Sequence, residues 1–547
     1  MTANPTASPL IIVQKHLLDF EKTGYFSGLI VDYLAENESL KPFYKYPFEL
    51  AAFKEVIENT AAKDYDRENL KAVFEKQYAD LDCTSKVAEN IAAMADSNTF
   101  TIITGHQTNL FTGPLYFVHK ILSTIVLAEQ LQATYPDFRF VPVYWMGSED
   151  HDFAEINHIN LFGNKIVWED VEGKDSAMGR ISTESLQGAF DQVAEILGDS
   201  DRAGATLQLF RRAYLEQPTL GKATQFIVNE LFGKYGLLVI DQDDAQLRKT
   251  FVPIIEEELL KRPSKALVEA TNVQLEEKGY HGQAFARDIN FFYLTDELRQ
   301  RIEWNAEMER FEVVDTDIRF TEAEILEEVK VRPERFSPNV ILRPVYQQKV
   351  LPCLAYIGGG GEVAYWLQLQ GVFDHYGVNY PMLVLRNSVL WIDKGNANRM
   401  EKSGLDVVNL FRNTEKLVVE YVKENSENQL NVYTEKQKVE CAFESILKKA
   451  VEIDQSLQSA VVGEMKKTIN AMERLEAKLL RAEKRNFDIA TGQIRTLKDN
   501  LFPSDSLQER KDNLIAFHFK YGDAFIETLK ENLDSPLEKK FTVLVDT

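Results

Sequence analysis

The chain has 547 residues, 85 acidic against 62 basic side chains, a net charge of −23, 44% hydrophobic and 27% charged residues. That length exceeds what one hydrophobic core usually serves, so more than one domain is expected, and the composition is that of an ordinary globular protein without long Gly/Pro linkers. The acidic charge repels nucleic-acid phosphates and anionic lipid, which argues against both as partners.

The N-terminal MTANPTASPLIIVQKHLLDF lacks a basic region before a long apolar core, and no apolar run approaches the ~20 residues that span a bilayer. A cytoplasmic protein is expected. Residues 1–95 read as helices with aromatic connectors such as KPFYKYPF. From Thr99 the β-branched run TFTIITG ends at Gly105, and Gly113-Pro114 opens the helical pattern LYFVHKILSTIVLAEQLQ. FRFVPVYWM at 138–146, GLLVIDQDD at 236–244 and PMLVLRNS at 381–388 are further apolar runs with polar ends. Apolar strands alternating with helices predict a parallel sheet covered on both faces. Two polar pieces interrupt it, at 165–230 and 263–338. Beyond residue 396 the sequence is helical and charged, with a heptad seam through Met465, Met472, Leu475, Leu479 and Ala482. A slip in register near Asp454 to Ser459 predicts a helical hairpin, or a stutter within one helix. The apolar Val461, Val462, Ile469 and Leu480 lie off the seam, which predicts a homodimer through this segment. FTVLVDT at 541–547 reads as a strand rejoining another domain. Cys83, Cys353 and Cys441 have neither CxxC nor Cys/His spacing, so neither a disulfide framework nor a structural zinc is expected, and Cys353 reads as a small buried hydrophobe.

In open α/β sheets ligands bind beyond the carboxyl ends of the strands. Four stretches should meet there. In TGHQTNLFTGP, residues 104–114, the candidates are Gly105, His106, Gln107, Asn109 and Gly113, with backbone and imidazole donors for a phosphate or carboxylate. In GSEDHD the candidates for proton transfer are Glu149, Asp150 and His151. The bland alternative is a helix capped by Ser148 or Asp150. A metal reading would place His151, Glu155 and His158 on one helical face, but no established ligand spacing is present and no metal is expected. The acids of IDQDD and the pair Arg386 and Ser388 of LRNS complete the strand ends. The segment FSPNVILRPVYQQKVLPCLAYIGGGGEVAYWLQL adds Arg343, Tyr346, Gly359, Gly360 and Glu362. Its glycines offer bare amides to an anion and are expected at φ > 0, where a Cβ would be excluded.

These stretches, TGHQTNLFTGPLYFVHK, VPVYWMGSEDHDFAEINH, FSPNVILRPVYQ with LPCLAYIGGGGEVAYW, and LFPSDSLQER at 501–510, resemble the bacillithiol biosynthesis cysteine-adding enzymes. The resemblance implies a Rossmann-like core of the nucleotidyltransferase type, related to class I aminoacyl-tRNA synthetases, with two connecting-peptide insertions and a C-terminal helical coiled coil that pairs subunits. The expected division is a core of 1–164, with its helical lead, 231–262 and 339–395; insertions at 165–230 and 263–338; a coiled-coil domain at 396–505; and a C-terminal segment at 506–547. In that family the first loop is often TGQQ, so His106 is a variant.

The activity implied is addition of cysteine to glucosaminyl-malate through an amide bond. A free carboxylate is a poor electrophile, so the synthetase-like fold implies activation by ATP or another nucleotide, although neither HIGH nor KMSKS occurs in its usual form. Two alternatives stay open on the residues alone: an enzyme of this fold joining another amino acid to an amine, and a coiled-coil scaffold without catalysis.

Overall fold

A computed structural model describes residues 10–169, 172–173 and 175–547. Residues 1–9 of the leader reading, and 170, 171 and 174 of the first insertion, lie outside the described residues. The chain divides into two compact units, one running through Leu390 and resuming at Ser506–Leu544, the other comprising Trp391–Asp505 and Val545–Thr547.

The first unit is built on five parallel strands: β1 (Thr99–Gln107), β2 (Arg139–Gly147), β3 (Leu238–Asp241), β4 (Cys353–Gly358) and β5 (Met382–Leu385). Their spatial order is β5-β4-β1-β2-β3. Phe100, Ile102, Val141, Val143, Val239, Ile357 and Val384 are all buried, as expected where helices cover both faces of a parallel sheet. From β1 the chain proceeds to β2 and β3 on one side and to β4 and β5 on the other. The β1/β4 boundary is therefore a topological switch point, where such sheets open a crevice. At its carboxyl edge Gln107 pairs with Gly147 and Gly358 with Leu385.

Three helices matter for the crevice. α1 (Tyr116–Thr134) starts two residues after Pro114 and buries Val118, Ile121, Leu122 and Ile125 against the sheet; α2 (Arg343–Val350) carries Pro344 in its first turn; α3 (Gly360–Trp366) follows the glycine run. The second interrupting piece contains an antiparallel sheet in the spatial order Arg319–Phe320, Arg310–Val313, Arg299–Asn305, Phe291–Leu294, Phe336–Pro338. The first contains the helices Gln187–Leu197, Asp201–Tyr214 and Leu220–Phe232. The N-terminal region adds a strand, Val13–Asp19, to the expected helices. Lys540–Asp546 is also a strand, and its Thr542 N–H donates to the Ser388 carbonyl at 3.0 Å.

In the second unit α4 (Tyr433–Ile453) and α5 (Leu457–Lys484) form a hairpin, with the turn at the slip in the heptad pattern. Lys436 reaches Glu473 and Glu476 across it, at 3.5 and 3.4 Å. The division of apolar residues differs from the sequence reading. Ile469 and Leu480, expected off the seam, are half-buried, whereas Leu475 and Leu479 of the seam are 56% and 46% exposed. Met465, Met472 and Leu480 are half-buried, Leu457 and Leu475 lie on an exposed face, and Leu479, seven residues from Met472, stands between the two. Eighteen residues are five helical turns, so Leu457 and Leu475 share that face.

Candidate active site

A cavity of about 670 Å³ opens at the strand ends. Gly105, His106 and Gln107 reach it from β1, Asp150 and His151 from the segment after β2, and Gln242 from beyond β3. Arg343 enters from α2, Gly359, Gly360 and Glu362 from the turn into α3, and Arg386 from the end of β5. The cavity wall therefore joins residues separated by nearly three hundred positions in sequence. Gly105 has a steric role: a Cβ there would lie 3.3 Å from the Tyr356 hydroxyl and 3.5 Å from Arg343 Nη1. Its absence gives the guanidinium room beside the strand. Arg343 then donates to the Tyr365 hydroxyl at 2.7 Å and to Gln347 Oε1 at 3.3 Å.

The acidic cluster divides at one peptide bond. Glu149 is fully buried and does not line the cavity; it forms an ion pair with Arg248 and accepts from Ser337 Oγ at 2.7 Å. Placing it among the proton-transfer residues is thus corrected: its carboxylate is committed to a buried cation. From Ser337 the network continues outward, since its hydroxyl also accepts from Arg299 Nε at 3.0 Å and Arg299 Nη1 meets His151 Nδ1 at 2.7 Å. A guanidinium only donates, so Nδ1 must be the acceptor and the proton of the neutral ring sits on Nε2. Burial and the Arg299 charge push the His151 pKa down. His151 is therefore a neutral N–H donor, with its basic nitrogen already used. Asp150 is the carboxylate of the cluster that lines the cavity, with a side chain 40% exposed. Its Oδ1 accepts from the backbone N–H groups of His151 and Asp152 at 2.7 and 3.3 Å, which fixes the carboxylate at the cavity edge.

The helix cap is Asp152, accepting from Glu155 N at 3.1 Å, rather than Ser148 or Asp150. That helix is one turn, Phe153–Ile156, and His158 begins the strand His158–Leu161. His151, Glu155 and His158 consequently share no helical face. Among the described residues no group of three or more His, Cys, Asp or Glu side chains could hold a metal ion.

Across the cavity Glu362 accepts from Lys120 Nζ at 2.7 Å, the Tyr356 hydroxyl at 2.5 Å and the Gly359 N–H at 2.9 Å. Burial raises its pKa, but the Lys120 charge and these donors outweigh burial and hold it at about 2. Lys120 also donates to the Gly105 carbonyl, so one ammonium ties β1 to the glycine turn. The Gly359 amide is thereby occupied by Glu362. The expectation of left-handed glycines is also corrected: none of residues 358–361 has positive φ, and Gly359 sits at φ −76°. Their value lies in bare surface, since a Cβ on Gly359 would point between Glu362 Oε2 at 3.5 Å and Arg386 Nε at 3.8 Å.

Four expected contacts stand behind the wall. Asn109 donates to His106 Nε2 at 3.2 Å and to the Gln107 carbonyl at 3.0 Å, orienting the imidazole. Burial and the Lys120 charge push His106 down to about 3, so it too is neutral. Gly113, at φ 67°, is required because a Cβ would fall 2.9 Å from Asn109 Cβ. Tyr346 is buried with its hydroxyl on the Gln242 carbonyl at 3.1 Å, and Ser388 is buried against Glu509 at 3.1 Å. Sequence reasoning missed Arg299, Tyr356, Tyr365 and Arg510 of the cavity wall, and Lys120 behind it. Arg510 lay within the quoted LFPSDSLQER, and Lys120 ended the quoted TGHQTNLFTGPLYFVHK. Arg299, in a strand of the second interrupting piece, carried no local signal.

The family described as "Bacillithiol biosynthesis BshC, N-terminal Rossmann-like domain" matches residues 13–387, and "Bacillithiol biosynthesis BshC, C-terminal coiled-coil domain" matches residues 389–545. A protein of Christiangramia forsetii named "Putative cysteine ligase BshC" is 41% identical over 535 residues, covering 96% of this chain and 98% of the relative. Proteins of the same name from Flavobacterium psychrophilum and Salinibacter ruber are 41% identical over 530 residues and 32% over 520, covering 96% and 93% of this chain and 98% and 95% of the relatives.

Proposed function

The chain belongs to the BshC family of bacillithiol biosynthesis, and we propose that it is a ligase joining the carboxyl group of cysteine to the amine of glucosaminyl-malate. The observation that supports this reading best is the pairing, at one peptide bond of the cavity wall, of an open carboxylate with an imidazole held as a neutral donor. Amide formation requires an amine that loses a proton as it attacks and an acyl carbon whose oxygen takes up negative charge. Asp150 is the base for the first need. The His151 N–H and the arginine groups serve the second, as donors fixed before the reaction begins. Arg343, whose hydrogen bonds go to Tyr365 and Gln347, retains charge for an acidic substrate.

Activation of the cysteine carboxyl is assigned to ATP or another nucleotide, which would supply a leaving group. Arg343, Arg386 and Arg510 could hold its phosphates, and the bare Gly359–Gly360 surface admits close approach. The proposed assembly is a homodimer through the helical hairpin. The exposed Leu457, Leu475 and Leu479 are assigned to a second subunit, because an isologous contact covers them without open-ended growth. Among the described residues no helix is long and apolar enough to cross a membrane. The test is genetic and chemical. Cells lacking this chain should accumulate glucosaminyl-malate and lose bacillithiol by mass spectrometry, and restoring the gene should reverse both. An unchanged thiol pool would reject the assignment.

A further inference from the structure

The segment that resumes the first unit after Asp505 contributes two adjacent residues at the cavity. Arg510 lines it directly. Glu509, 1% exposed, stands one layer behind and accepts five hydrogen bonds: from Arg386 Nη2 at 2.7 Å and Nη1 at 3.0 Å, Ser388 Oγ at 3.1 Å, the Val389 N–H at 3.2 Å and His119 Nδ1 at 2.9 Å. This carboxylate takes the terminal edge of the Arg386 guanidinium bidentately, so the Nε edge is the one left over. Arg386 is 4% exposed, and its Nε has no acceptor among the described residues. That nitrogen is 3.8 Å from the point where a Gly359 Cβ would stand, on the glycine wall of the cavity. A buried N–H without an acceptor is costly, and a ligand oxygen is the natural complement. The Glu509 charge offsets that of Arg386, and Glu362, whose Oε2 is 3.5 Å from the same point, is offset by Lys120 at 2.7 Å; Arg510 and Arg343 then add positive charge on the same wall.

We propose that Glu509 is a positioning residue that builds an anion subsite, in which a phosphate or carboxylate oxygen meets Arg386 Nε with Arg510 beside it. The inference rests on the ligase reading only for the source of the anion, a nucleotide phosphate or a malate carboxylate. Holding the guanidinium in place before binding is how Glu509 contributes, because the ligand then bears no cost of ordering it.

Titration calorimetry of the full chain with inorganic pyrophosphate and, separately, with malate tests this without requiring turnover. The parent should bind at least one of them. Glu509→Gln should weaken that binding by about tenfold or more, the loss expected for one charge-assisted contact, with Glu509→Asp recovering part of it. Arg510→Met, at an exposed position, should weaken binding by about threefold to tenfold at an unchanged melting temperature. Pyrophosphate binding displaced by ATP assigns the subsite to a nucleotide; malate binding alone assigns it to the acceptor. Failure of the parent to bind either anion overturns the proposal, as does binding within twofold of the parent in folded Glu509→Gln. If Glu509→Gln does not fold, unchanged affinity in Arg510→Met overturns it. A chain that binds the anion but makes no thiol would instead reject the ligase reading and leave the subsite standing.

Discussion

In the α/β unit charged side chains are buried in pairs, Glu149 with Arg248 and Glu509 with Arg386, and the apolar residues fill the space around them. The helical hairpin reverses this. No residue of α5 is fully buried, while Ile453, Leu475 and Leu479 are 79%, 56% and 46% exposed. The two regions therefore place their charged and apolar residues in opposite ways. In the first, interior charges orient the cavity groups from behind. In the second, apolar side chains are left in the open, and the proposed homodimer would cover them.

The strongest way to break the first half of that contrast is to remove a hidden charge. Glu149→Ala should cost about 3–5 kcal/mol of unfolding free energy, because Arg248 would be left buried and unpaired. Denaturant melts would show it, and a loss below about 1 kcal/mol would mean that the pair is not part of the frame. A smaller effect is expected at Glu362. Its folded pKa of about 2 lies below the ordinary carboxylate value, so its stabilising contribution is complete above about pH 4.5 and fades as pH falls toward 2. Glu362→Gln should therefore lower stability near neutrality by about 2 kcal/mol and flatten its decline between those pH values. Unfolding curves from pH 2.5 to 6 would check the sign, on the order of the carboxylate range given by model compounds.

The hairpin should respond in the opposite manner. Leu475→Glu with Leu479→Glu is expected to convert the proposed dimer to monomer by light scattering, and to shift the melting of the α/β unit by less than about 0.5 kcal/mol. A variant that stays dimeric would place the interface elsewhere. Gly359→Ala should change stability by no more than about 0.5 kcal/mol, because φ −76° suits alanine and the new Cβ would make only ordinary contacts. Binding in the cavity should nevertheless weaken, since that Cβ occupies ligand space. Unaltered binding would make the turn purely structural.

The parallel strands were legible because each is a short apolar run ending in polar residues, and the hairpin turn because a heptad seam lost register beside polar residues. The hairpin's outer face was not. Periodicity identifies a stripe, but it does not say which of two stripes meets the other helix, and Met472 and Leu475 are equally apolar in sequence. At the cavity, GSEDHD announced charged groups at a strand end, yet Glu149 and Asp150 differ only in which way one peptide turns them. Arg248 and Ser337, which make that choice for Glu149, are remote in sequence. The same holds for His151: nothing near it in sequence indicates that Arg299 occupies its Nδ1.

The proposed function makes Asp150, at the cavity edge, the base for amide formation. Parent and Asp150→Asn proteins, incubated with cysteine, glucosaminyl-malate and ATP and followed by mass spectrometry, test it most directly. The parent should form bacillithiol, and Asp150→Asn should lose about 10²–10⁴-fold in rate, the usual contribution of a positioned base, without loss of melting temperature. Product formation by folded Asp150→Asn within a few-fold of the parent would contradict it.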